Sequence, residues 1–205
     1  MFWLVPAIAG AFGKASSSFF RKKLSASLNG QVFVFVSSCL SIVLLFPFLV
    51  YFQLPVLSLI VDHPFITLGL AGSLVVATSL SVHALASDEL SSIAPLNGFI
   101  PVFTLFYAWI FLGEVPPVFG VFGVIIVFLG AYLISIKSTT SHWLEPLIHL
   151  FRHRAALIAL ASTMFAAINT VFIKAATNFN FDPLTILFTG VLGGALFTFP
   201  VLLKQ

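Results

Sequence analysis

The residues able to do chemistry here are the few polar ones set inside long apolar runs. Lys14, Ser17, Ser18 and Arg21 recur at i, i+3, i+4 and i+7, so one helical face carries them all. Asn97, Pro101, Thr104 and Ala108 form a second stripe, in which Pro95 and Pro101 free backbone carbonyls that lipid cannot satisfy. Thr78, Ser79 and His83 mark a third run, and Ala166, Asn169, Thr170 and Ile173 a fourth. A single carboxylate, Glu114, stands in WIFLGEVPPVFG, between two runs that are each long enough to cross a bilayer. Groups of this kind inside apolar spans are candidates for binding polar solutes or ions, because lipid offers them no partner.

Bond-making chemistry finds no support. The chain has no Ser/His/Asp set, no HExxH and no paired carboxylates within spans, so an intramembrane enzyme is not indicated. No GxxxxGK[ST] loop exists to drive transport with ATP, and no cofactor is implied. His83 beside Asp88 and Glu89 reads as a proton relay, a metal ligand or an interfacial histidine; with no further ligands at suitable spacing, no metal site is assigned. The lone Cys39 builds neither a disulfide framework nor a thiolate site.

Each candidate also has a structural role open to it. Ser and Thr in spans ordinarily bond to their own helix or a neighbour, whereas the amides Asn97 and Asn169 have more bonds to satisfy. Lys14 either charges the path or snorkels toward the interface marked by Arg21. Glu114 precedes Pro116-Pro117 and follows Gly113, so capping of the next helix and locking of the hairpin are set against solute or proton binding. Ala9 with Gly13, Ala11 with Ala15, and Gly120, Gly123 and Gly130 are spaced for close helix packing.

The elements that position these groups follow from composition. Hydrophobic residues make up 60% of the chain and charged ones 7%, with a mean hydropathy of +1.16, so the solvent of this chain is a lipid bilayer. Its Lys and Arg lie in short clusters between apolar runs, which writes membrane topology rather than a nucleic-acid surface. The fold class is therefore an all-α integral membrane protein of about seven spans: Phe2–Phe20, Val32–Phe52, Phe65–Leu85, Ile93–Leu112, Pro117–Ile136, Ala155–Phe172 and Pro183–Leu203. Short Pro-, Asp- and Gly-bearing breaks make neighbouring spans antiparallel. The first run is a retained span and not a secretory signal, since Arg21-Lys22-Lys23 follow it. Arg21, Lys22, Lys23, Lys137, Arg152, Arg154 and Lys204 fall on one side and Lys174 on the other, which puts the N-terminus outside. Residues 138–154 form a polar, partly amphipathic linker.

One fixed offset lays Ala7 on Ala159, Ala9 on Ala161, Ala15 on Ala167, Phe20 on Phe172 and Lys22 on Lys174, with Ser17 over Asn169 and Ser18 over Thr170. Five spans precede the linker, so the second copy enters from the opposite side: an inverted repeat. At Ser91-Ser92-Ile93-Ala94-Pro95, Pro101-Val102-Phe103-Thr104, Leu112-Gly113-Glu114 and the closing FLGAYLI, the chain resembles the EamA-type domain of the drug/metabolite transporter superfamily. The resemblance covers residues 1–137 as one five-helix unit and 155–205 as the first two helices of another. It implies a multi-pass permease of the plasma membrane, with ten helices in two inverted halves moving a small organic metabolite or amino acid by alternating access. Lys14, Ser17, Asn97, Thr104, Asn169 and Thr170 are then pathway candidates, and Pro95, Pro101, Gly113 and Glu114 structural residues of the motif. The sequence reads as part of such a transporter, or as a half completed by a second chain; a non-transporting assembly subunit is the alternative.

Overall fold

The structure, a computed structural model, describes residues 4–25, 29–87, 94–135 and 154–203. Every element among them is helical: α1 (Leu4–Ser25), α2 (Gly30–Phe52), α3 (Val56–Asp62), α4 (Pro64–Ser87), a 3-10 segment (Ala94–Phe99), α5 (Ile100–Leu112), α6 (Val118–Ser135), α7 (Arg154–Asn178) and α8 (Pro183–Leu202). Helices are what apolar runs of this length must form in lipid, because each backbone N–H and C=O then finds its partner within the segment. By length and composition α2, α4, α7 and α8 can each cross a membrane; Leu96–Leu112 and Val118–Val127 are shorter apolar helical stretches. Helix α1, loaded with Lys14, Arg21, Lys22 and Lys23, is not among them.

Three local features differ from the sequence reading. The run expected as one span from Ile93 is a 3-10 turn followed by α5, broken where Pro101 enters the first turn of the helix and supplies no backbone donor. The connection between the second and third spans folds into α3, anchored by buried Val56 and Leu59. The small-residue stripes of α1 and α6 make no close approach among the described residues: Gly13, Gly123 and Gly130 have open space there where a side chain would project, and Gly120 meets only its own Pro117. Close approach occurs elsewhere. A methyl at Gly30 would stand 2.7 Å from the backbone oxygen of Ser79, one at Gly193 would overlap Ala71, and one at Gly194 would lie 3.1 Å from Ser38 Oγ. Helices α2 and α8 thus press onto α4 through positions that spacing alone did not distinguish. The linker, residues 138–153, and Ser91-Ser92-Ile93 lie outside the described residues.

Helix α4 is the hub, touching α7 most extensively and also α8, α2, α1 and α3, while α5 packs on α7. Contacts fix the directions. Lys22, near the end of α1, donates to the carbonyl of Leu85, near the end of α4, at 2.5 Å, so these helices meet at their C-terminal ends. Phe172 lies on Gly69, Asn169 on Ser73 and Ser162 on Ala77, so α7 descends as α4 rises. Two buried clusters hold the bundle, one of Ala84, Leu85, Leu96 and Ala159 and one of Leu59, Leu70, Ala176 and Ile186. The second is closed by His63, whose ring lies 4.1 Å from that of Phe179 and 5.7 Å from that of Phe181.

Candidate functional site

The polar chemistry of the described residues concentrates on the seam between α4 and α7. Gly69, Ser73 and Ala77 recur every fourth residue along α4, leaving a groove of small side chains. Phe172 fills its first position, where any Cβ on Gly69 would run into the ring. Asn169 fills the second: its Nδ2 donates to the Leu70 carbonyl at 2.9 Å and to Ser73 Oγ at 3.0 Å. At the third, Ser162 Oγ donates to the Ala77 carbonyl at 2.9 Å. Ser73 in turn donates to the carbonyl of Gly69 at 2.5 Å. Ser73 and Ser162 were not singled out in the sequence, although the Gly69, Ser73, Ala77 stripe was there to be seen.

Of the pathway candidates, the structure brings only Asn169 into this seam. Thr170, one residue on, is exposed and bonds back to the Ala166 carbonyl of its own helix at 3.0 Å. Lys14 and Ser17 lie on the exposed face of α1, where the Lys14 carbonyl accepts from Ser18 Oγ at 3.0 Å. Asn97 is exposed on the 3-10 segment, which also contains Pro95. Pro101 is an exposed residue in the first turn of α5, and further along that helix Thr104 Oγ1 is buried without a hydrogen-bond partner among the described residues. Near the other end of α4, Arg21 sits over the ring of Phe33 at 5.7 Å, and His83 is exposed.

A second polar feature lies where α5 ends. Gly113 closes that helix in the left-handed conformation, φ 67°, which a residue with a Cβ adopts only with strain, and donates its N–H to the Ala108 carbonyl. The chain then turns, and the carboxylate of Glu114 pairs with Lys174 Nζ of α7. The partner that sequence could not supply for this acid is thus a lysine 60 residues away. Phe111 and Leu112, just before Glu114 in the chain, and Ile168, Val171, Phe172 and Ala175, around Lys174, line an apolar recess of about 260 Å³ together with Ile66 of α4.

The arrangement can hold helices in register and present isolated polar groups along them. The profile of one family, the EamA-like transporters, matches residues 1–136, well over half of the chain. The chain belongs to the EamA-like transporter family. No curated protein and no solved structure gives a significant match. As an EamA-like chain of apolar helices, it is a multi-pass membrane protein of transporter type. The matched region closes with α6, and α7 and α8 pack into it: α7 against α4 and α5, α8 against α2 and α4, with far less contact between the two.

Proposed function

We propose that this EamA-like chain is a permease of the plasma membrane that moves a small organic metabolite or amino acid by alternating access. The moving parts are the five-helix unit of residues 1–137 and the inverted helices of 155–205, joined by the linker of 138–154. The observation that carries the reading is the family match to a transporter domain in a chain with helices long and apolar enough to cross a membrane. Asn97, Thr104, Lys14, Ser17 and Thr170 are the proposed path residues, because their polar groups are not consumed by the α4–α7 seam; Asn169 is assigned to holding helices. Reconstitution in liposomes with a panel of metabolites and amino acids tests this. Solute flux through the wild type, lost in Asn97→Leu at unchanged folded yield, supports it. Unchanged flux in that variant removes Asn97 from the path, and absence of flux across the panel counts against transport by this chain.

A second reading rests on α1. Its Lys14 and Ser17 are exposed, and a charge facing lipid at mid-helix is unfavourable by about 2.5 to 3.5 kcal/mol. Protein from a second chain covering that face makes the chain a subunit of a larger membrane assembly. The mass of the particle in lipid nanodiscs separates the two: a monomer leaves α1 uncovered and removes this reading.

A further inference from the structure

Glu114 and Lys174 come from opposite sides of the linker and meet at one end of the bundle. Their sequence neighbours are the walls of the apolar recess: Phe111 and Leu112 just before Glu114, and Val171, Phe172 and Ala175 around Lys174. The two sides of that recess are fastened differently. On the α4 side, α7 is held by Asn169, by Ser162 and by the ring of Phe172 seated on Gly69. On the α5 side, the described residues of α5 offer no side-chain hydrogen bond to α7, and Thr104 Oγ1 is without a partner. The polar fastening there is the Glu114–Lys174 pair.

We propose that this ion pair is a latch: it closes the recess between α5 and α7, and its release lets the end of α5 swing from α7 while α7 stays fixed to α4. The proposal rests on the reading of the two units as moving parts, but its test reads local opening and not transport. The pair is suited to repeated release because its side chains are 49% and 40% exposed and so are not locked in by packing. A partly exposed pair of this kind shifts a two-state equilibrium only about 1.5- to 5-fold, enough to bias a gate without freezing it.

The whole chain in liposomes, with Cys39→Ser and a reporter at Ile66→Cys on the α4 wall, is labelled with a membrane-impermeant maleimide. Rates are normalised to a second reporter at the exposed Leu57→Cys. Glu114→Gln and Lys174→Met each raise labelling of Ile66→Cys about 1.5- to 5-fold at low salt. The reversed pair, Glu114→Lys with Lys174→Glu, returns it to the parent rate. In the parent, raising salt from about 0.01 M to 1 M increases labelling toward that of the single variants, because the charges are then screened within about 3 Å. This salt series needs no substitution in the pair and stands even where a variant fails to fold. Flat labelling across the salt series, unchanged rates in both single variants, or a reversed pair as open as the singles overturns the latch. A chain that moves no solute but shows the labelling pattern keeps the latch and loses the permease; transport with flat labelling does the reverse.

Discussion

Replacing Asn169 separates a strut from a solute-binding residue. Its Nδ2 makes two bonds to α4, at 2.9 Å to the Leu70 carbonyl and 3.0 Å to Ser73 Oγ. Truncation in Asn169→Ala removes both, yet strands little: Leu70 remains within its own helix, and Ser73 still donates to Gly69 at 2.5 Å. The loss is therefore that of the bonds themselves, about 0.5 to 1.5 kcal/mol each in general and averaging about 0.6 kcal/mol between membrane helices. Together they amount to about 1 to 2 kcal/mol, a factor of about 5 to 30 in the ratio of folded to unfolded chain. Asn169→Asp is worse, since a carboxylate cannot donate, faces two oxygens and carries a charge that is unfavourable by about 2.5 to 3.5 kcal/mol at a helix centre. A double-mutant cycle with Ser73→Ala isolates a coupling of about 0.6 kcal/mol. The assay is equilibrium unfolding in mixed micelles, paired with flux per folded molecule in liposomes. As a strut, Asn169→Ala lowers the unfolding midpoint and keeps flux per folded molecule. An unchanged midpoint with abolished flux refutes the assignment and returns Asn169 to the path.

Gly30→Ala pushes a methyl against backbone that cannot rotate away, requiring α2 and α4 to part by about 0.7 Å (3.4 − 2.7) to reach ordinary contact. Overpacking of about 1 to 3 kcal/mol exceeds the helix-propensity gain of about 1 kcal/mol, so unfolding comes at lower denaturant. Gly72→Ala, with nothing within 4 Å of the new methyl, is the matched control and unfolds no earlier than the wild type. Thr185 is fully buried with its hydroxyl unpartnered, so Thr185→Val stabilises the bundle by about 1 kcal/mol in the same assay. Thr104→Val removes another unpartnered hydroxyl, and on the permease reading it lowers flux without lowering stability.

What the sequence made legible was set by properties that act along the chain. Apolar runs bounded by Pro, Asp and Gly declare helices. Gly113 as a helix end is equally local, because only its own backbone is involved. Contacts across the bundle are a different matter. Gly30 and Gly13 look alike in sequence; one meets the backbone of Ser79 and the other meets nothing, because topology decides which face has a neighbour. Asn169 stood out as an amide in lipid, but one of its partners is a backbone carbonyl, which every residue offers and no motif marks. Glu114 is the sharpest case. Its neighbours in sequence offered a helix terminus, while its partner in space is a lysine beyond the linker. That lysine was already visible in sequence as the residue lying over Lys22 at a fixed offset, so sequence held both ends of the pair without the fold that joins them. The same residue that marks the motif therefore ties the end of α5 to α7, and a substitution at Glu114 perturbs the seating of these two helices on each other before it perturbs either one alone.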